Sequence, residues 1–336
     1  MIKGQVTRAL STIGSCVALL ALVQCTKGTG HQSSPPVTPP HRDTLTVADC
    51  KQCIVITDQA APAIDIVDAG RGGATVWSWS PYQSNINVND QHWFSNPDDA
   101  KPVYNLKYLL INASGGGVAL VRIADQKVIF YADAGKNPHS SELLPDGNIV
   151  TASSTDNRLV IFHVDTSESP NNIYKKVIPL PFAHNVVWDK KRNVLWAAGE
   201  NNLYEFQYNF NCKQPDLIPK DTFQLPGDEA HDLFPVYGQD SLFLTNPEAA
   251  YYIDLKTMNV SLARFKYLKN IKSVSAGPTG WPIIIMIPKV SWWSDEVMGT
   301  QGNNIFEQSG MKIYKARWFL PNLFSYPEND QLKECK

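Results

Sequence analysis

The chain has 336 residues, 30 Lys and Arg against 32 Asp and Glu, a net charge of −2, and 43% apolar residues. No dense Lys/Arg run appears, which excludes the basic stripe that a nucleic-acid partner requires. Phe, Tyr and Trp make up 10% of the chain, enough to fill interfaces between packed sheets.

Taken in chain order, the first elements are not parts of a fold. Lys3 and Arg8 precede an apolar stretch over residues 10–23. That stretch has the length of a signal-peptide core and is short for a membrane span. It runs into Leu22-Val23-Gln24-Cys25. We read residues 1–25 as a signal peptide of the lipoprotein type, with Cys25 as the lipidated residue. Gln24 departs from the small residue usual before such a Cys, and a plain secretory signal is the alternative. Either leader predicts export: to the outer membrane or cell surface as a lipoprotein, or to the periplasm. A lipid anchor would then be the only membrane contact. Residues 26–44 are rich in Gly, Ser, Thr and Pro, cannot bury a core, and read as a flexible tether. Residues 45–336 are expected to form one domain, acting as a monomer.

Apart from Cys16 and Cys25, the cysteines are Cys50, Cys53, Cys212 and Cys335. Export permits disulfides. Cys50 and Cys53 have zinc-ribbon spacing, but the second such pair is missing. A link from Cys335 to Cys50 or Cys53 would join the two ends of the domain. Four cysteines allow three pairings, and the choice stays open at this point.

The rest of the chain alternates short β-rich runs with turns and lacks a long amphipathic helix. Residues 53–58, 63–67 and 75–79 predict three strands of a first blade. Residues 80–103 read as a long polar insertion. Residues 107–112, 117–123 and 127–131 predict strands of a second blade. Three segments then open on a histidine: His139 in NPHSSELLPDGNIVTASS, His184 in FAHNVVWDKKRNVLWAAG and His231 in EAHDLFPVYGQDSLFLTN. Their spacings are 45 and 47 residues. Each His leads into an apolar run, a polar turn and a second apolar run. A sixth unit begins near Lys272-Ser273 and is expected to end with residues 312–318. A repeat of this length built from hairpins predicts an all-β, six-bladed β-propeller with four-stranded antiparallel blades around a central channel. The first blade is one strand short on its N-terminal side, so seven blades is the alternative count.

Several segments carry a resemblance: Asp98-Asp-Ala-Lys-Pro102, Gly115-Gly-Gly-Val118, Pro138-His-Ser-Ser-Glu-Leu-Leu-Pro145, Ala183-His-Asn-Val-Val-Trp-Asp189, Ala230-His-Asp-Leu233, Lys272-Ser273, Trp292-Trp293 and Tyr314-Lys-Ala-Arg317. Together they resemble a family of exported bacterial proteins, mostly from gut and soil Bacteroidetes, catalogued as a domain of unknown function. That resemblance implies a propeller and export, and it implies no activity. More loosely, the histidine ring is similar to that of propeller lyases such as oligogalacturonate lyases, whose axial histidines hold a metal. This second likeness is an analogy of architecture.

Equivalent residues of successive blades converge on the axis. His139, His184 and His231 are therefore expected to meet at the channel mouth, as catalytic groups or as ligands of one divalent ion (Zn, Mn or Ca). Asp98, Asp99, Asp228 and Asp232 are candidate partners or bases, with Asp98 the catalytic choice among them. Lys101 and Lys272 are expected at corresponding positions of the second and sixth blades, where they would suit an anionic substrate such as a uronate or sulfated sugar. The expected partner is a carbohydrate or other small ligand, and any enzymatic activity would be of the polysaccharide-lyase type. A non-catalytic propeller that binds glycan or protein, with histidines that only hold the blades together, is the alternative.

Overall fold

The computed structural model describes residues 47–171, 173–326 and 331–334. The leader with Cys25, the tether and Cys335 lie outside the described residues. Among those described, no helix is long and apolar enough to cross a membrane.

Six four-stranded antiparallel sheets are arranged as the blades of a propeller. Blade 2 comprises Pro97–Val103, Tyr108–Ala113, Gly117–Arg122 and Val128–Asp133. Blade 3 comprises Pro138–Leu143, Ile149–Ser153, Arg158–Phe162 and Lys175–Pro179. Blade 4 comprises Ala183–Asp189, Val194–Gly199, Asn202–Tyr208 and Leu217–Gln224. Blade 5 comprises Asp232–Pro235, Ser241–Thr245, Ala250–Asp254 and Asn259–Leu262. Blade 6 comprises Ser273–Ser275, Ile284–Met286, Glu296–Gly299 and Asn304–Glu307. The first strand of each blade packs against the first strands of its neighbours, and these contacts close into a ring.

Blade 1 differs in where its innermost strand comes from. Cys53–Asp58, Ala63–Asp68 and Ala74–Trp79 are its three outer strands, and Ile313–Trp318 completes it on the axial side. Ile54 pairs with Trp318, Val55 with Arg317 and Ile56 with Ala316. This supplies the strand missing from the sequence reading and fixes the count at six. It also corrects the expectation that residues 312–318 end the sixth blade. The closure is favoured because an unpaired Cys53–Asp58 edge would leave a row of buried backbone donors and acceptors without partners.

The polar insertion expected over 80–103 needs a second correction. Its last residues, Pro97–Val103, are the innermost strand of blade 2, and every one of them is buried. The run PDDAKPV does not read as a strand because Val103 is its one β-branched residue and it holds two prolines and no aromatic.

Inner and middle strands are buried on both faces, as in Cys53–Asp58, Tyr108–Ala113 and Val194–Gly199. Each blade is sandwiched between two others, so these strands read as continuous apolar runs rather than alternating ones. One interface core, between blades 3 and 4, joins Leu159 and Ile161 to Trp188 and Leu195. Outer strands face water and alternate, as in Lys175–Pro179.

The disulfide expectation is also corrected. Cys50 and Cys53 bond to each other, so neither is free to bridge the chain ends. Cys212 is disulfide-bonded as well.

Candidate functional site

The channel mouth is built by one backbone device used six times. In blade 2 the pairing passes from Pro97–Ala113 to Asp99–Asn112 and skips Asp98. Blade 3 skips His139 in the same way, and blade 4 skips His184. In blade 5 the His231 amide donates to the Thr245 carbonyl, although Thr245 already pairs with Asp232. In blade 6 the Lys272 amide donates to Met286, the partner of Ser273. In blade 1, Tyr314 and Lys315 both stand opposite Thr57. One extra residue at the same level of each inner strand is a β-bulge, and a bulge re-aims a side chain. The six residues so placed are Asp98, His139, His184, His231, Lys272 and Tyr314.

The three imidazoles do come together. The rings of His139 and His184 are stacked, with centroids 4.1 Å apart and planes 11° from parallel. His231 lies 4.8 Å from His184 and 6.0 Å from His139. The Tyr314 hydroxyl sits between two of them, 3.0 Å from His231 Nε2 and 3.3 Å from His139 Nδ1. A phenol can donate to one imidazole and accept from the other, so the three groups form a hydrogen-bonded chain. His139 Nδ1 is also 3.9 Å from Asp98 Oδ1. His184 differs from its neighbours. It is 2% exposed, and neither ring nitrogen has a hydrogen-bond partner among the described residues. The Phe182 backbone lies close by without reaching hydrogen-bond geometry.

Burial sets the protonation of this layer. It pushes His139 and His231 well below the usual imidazole range, helped by the neighbouring His184 and by the Lys315 and Lys272 charges. His184 is pushed down to about 3, by burial first and then by Lys315 and Lys272. Burial raises Asp98 well above the carboxylate range despite a hydrogen bond from Ser114. Tyr314 is raised well above 10, by burial and by nearby carboxylates. At neutral pH the mouth therefore holds neutral imidazoles and a neutral phenol, and burial biases Asp98 towards its acid form. Lys272 is the remaining group. It is half-buried, its ammonium makes no hydrogen bond or ion pair among the described residues, and burial together with the Lys315 charge lowers it to about 8.

Below the mouth lies a second layer of different character. Arg317 donates to both Asp99 and Asp232, with contacts of 2.9 Å and 2.6 Å. Lys315 reaches the same two carboxylates at 3.4 Å and 3.3 Å. All four side chains are at most 1% exposed. Burial would raise Asp99, but Arg317 and Lys315 outweigh it and hold the carboxyl well below its usual range. Lys101 donates to Glu142 at 3.1 Å and to the Val186 carbonyl at 2.9 Å. Burial lifts Glu142 to about 6 against the pull of Lys101.

The expected Lys101–Lys272 correspondence therefore fails. Lys272 matches Asp98 at the mouth, whereas Lys101 lies three residues deeper and is neutralised by Glu142. Asp99 and Asp232 brace the lower layer instead of serving the histidines, and Asp228 is exposed on the surface. The sequence reading missed Tyr314, Lys315 and Arg317 as hub residues. Superposing YKAR on the DDAK of Asp98-Asp-Ala-Lys101 would have found them.

The fit of a metal ion was tested on this geometry. Stacked imidazoles do not aim their nitrogens at one point, and Tyr314 already occupies a nitrogen of His139 and one of His231. Among the described residues, the group whose ligand atoms all lie within 4.8 Å of one another is Cys50, Cys53 and Asp68. The histidines as arranged do not form a metal centre.

Beside the ring, a cleft of about 320 Å³ is lined by Gln59, Asn96, Asp98, Ser114, Asn137, His139, Trp292 and Tyr314. Trp292 is 54% exposed on its rim and donates to Gln59 Oε1 at 2.9 Å. The opening at the other end is covered by Leu320, Pro321, Asn322, Leu323 and Phe324, which leave a cavity of about 40 Å³ above Lys101 and Phe234.

A six-bladed propeller with a polar, histidine-lined hub is thus the class that fold and site define. The chain belongs to a family described as "Family of unknown function (DUF6528)", which matches residues 15–334. No curated protein matches it. Among solved structures, it is similar to a protein of unknown function from Bacteroides caccae, at 12% identity and a TM-score of 0.53 over 80% of this chain and 98% of that one. That likeness is one of fold. Two further similarities have TM-scores below 0.5. Dihydro-heme d1 dehydrogenase NirN gives 0.47 at 14% identity, over 78% of this chain and 56% of that one. Kuenenia stuttgartiensis hydrazine synthase gives 0.43 at 12% identity, over 65% of each chain.

Proposed function

We propose that the channel mouth binds an acidic sugar unit and carries out proton transfer on it. The observation that carries this reading is His184, a buried imidazole with both nitrogens unpaired in the middle of a polar ring. Leaving such a group unsatisfied costs about 1–3 kcal/mol, which a bound ligand would recover. Lys272 supplies the cation for a carboxylate, since its ammonium makes no hydrogen bond or ion pair among the described residues and feels the Glu229 carboxylate only through space. The adjoining cleft offers what a pyranose needs: an exposed indole for a ring face and the amides of Asn96, Asn137 and Gln59 for hydroxyls.

The chemistry this arrangement suits is elimination from a uronate. The Lys272 ammonium pairs with the carboxylate and acidifies the adjacent carbon. A neutral imidazole, His139 or His231, takes the proton from that carbon. The carbon–oxygen bond to the next sugar breaks, a carbon–carbon double bond forms, and Asp98 in its acid form protonates the departing oxygen. Tyr314 holds both imidazoles in place.

Calorimetric titration with acidic oligosaccharides, with absorbance of the unsaturated product followed in parallel, tests this. Binding weakened ~tenfold or more in Lys272→Met and His184→Leu is the expected result. Equal affinity of both variants and the wild type would overturn the site. Binding without product would assign the protein to the non-catalytic glycan binders. We place such a protein in the cell envelope, in keeping with the leader read from residues 1–25.

A further inference from the structure

A second constellation lies far along the chain from the histidines, at the entry to blade 1. Cys53 and Asp68 are directly opposed across the Cys53–Asp58 and Ala63–Asp68 strands. Cross-strand partners have Cβ atoms about 4.5–5.5 Å apart, so the Asp68 carboxylate is held beside the disulfide by the sheet itself. The Sγ atoms of Cys50 and Cys53 and one carboxylate oxygen of Asp68 all lie within 4.8 Å of one another. Asp68 is 1% exposed, and its Oδ2 accepts no hydrogen bond. The other oxygen accepts from the Gly70 amide at 3.0 Å, which fixes the carboxylate's direction. The nearest cation to Oδ2, the Arg71 guanidinium, stands off at 3.5 Å on a side chain that is 41% exposed. Cys50 is half-buried, and a cleft of about 540 Å³ lined by Lys51, Asp68, Arg71 and Trp281 opens beside it.

We propose that Cys50–Cys53 is a reducible pair whose dithiol form, together with Asp68, binds a thiophilic divalent cation such as Zn²⁺. Reduction takes two electrons and two protons from a thiol or phosphine reductant, breaks the sulfur–sulfur bond and yields two thiols. Metal binding then releases both protons and leaves two thiolates and one carboxylate on the ion, with a position open to water. Lys51 and Arg71 favour the thiolates before the metal arrives. The disulfide and the metal are mutually exclusive, so the site reports redox state.

The test uses the full chain, oxidised or reduced with a phosphine, and titrates Cd²⁺ while following the thiolate-to-cadmium charge-transfer band. One equivalent is expected to bind the reduced protein and none the oxidised protein. A Cys50→Ser/Cys53→Ser double variant, reduced identically, accounts for thiols released at Cys212. Asp68→Asn is expected to weaken binding ~tenfold with the fold retained by circular dichroism. A reduced wild type that binds no more cadmium than the double variant overturns the proposal, as does unfolding on reduction. Unchanged affinity in Asp68→Asn overturns the ligand set.

Discussion

The upper layer of the hub draws one side chain from each of the six blades and the lower layer draws its charges from blades 1, 2, 3 and 5, and the polar groups of the two layers are treated in opposite ways. In the lower layer each charge has an opposite charge in contact: Arg317 and Lys315 with Asp99 and Asp232, Lys101 with Glu142. In the upper layer burial keeps the imidazoles neutral, Lys272 carries a cation with no ion-pair partner, and His184 has no hydrogen-bond partner among the described residues. The lower layer has the pairing of a brace, and the upper layer is the one the proposed function assigns to a ligand. A fully paired network has nothing left to offer a ligand, whereas an underpaired one can gain hydrogen bonds only from outside.

The sharpest way to break this comparison is to remove a charge from the brace. Arg317→Met leaves Asp99 and Asp232 facing Lys315 alone, and we expect a loss of about 3–5 kcal/mol in urea unfolding, or failure to accumulate as folded protein. Lys101→Met isolates Glu142, a group already lifted to about 6, and is expected to cost less, about 1–3 kcal/mol by the same measurement. His184→Leu should do the opposite in the upper layer. No hydrogen bond is lost, so stability should stay within about 1 kcal/mol of wild type while ligand affinity falls. A brace-like penalty there would show that the two layers do not differ.

Acid sharpens the same contrast. The unfolded chain takes up imidazole protons near pH 6.5, whereas folded His184 resists them down to about 3. Stability from this histidine is therefore present above pH 6.5 and is lost as pH falls from 6.5 towards 3. Denaturation midpoints measured across that window should slope less steeply in His184→Leu. At the alkaline end Lys272 loses its proton near 8, so affinity for an anion should decline above that pH, and Lys272→Met should show no such decline. The smallest effect belongs to the rim: Trp292→Ala should change stability by under about 0.5 kcal/mol and weaken sugar binding only a few-fold.

Much of this was legible in the sequence. The spacing of His139, His184 and His231 sufficed for the propeller architecture and for their convergence, because a propeller maps sequence period onto angle around one axis, but it left six and seven blades both open. The two layers were not legible. A single bulge at the head of each inner strand shifts facing by one residue, so strict alternation misassigns Asp99 and Lys101. Tyr314, Lys315 and Arg317 were hidden because their strand belongs to a blade that begins some 260 residues earlier, between Cys53 and Asp58. No local pattern carries that pairing.

The axial position of Ile313–Trp318 has one more consequence. The segment that supplies both buried cations to Asp99 and Asp232 is also the clasp of the ring. Until it docks, two carboxylates wait in an apolar interior without counter-charges, and half the disc has no seam. Closing the ring therefore needs a contact between the two ends of the domain, whose loop-closure entropy must be met before the buried ion pairs can form.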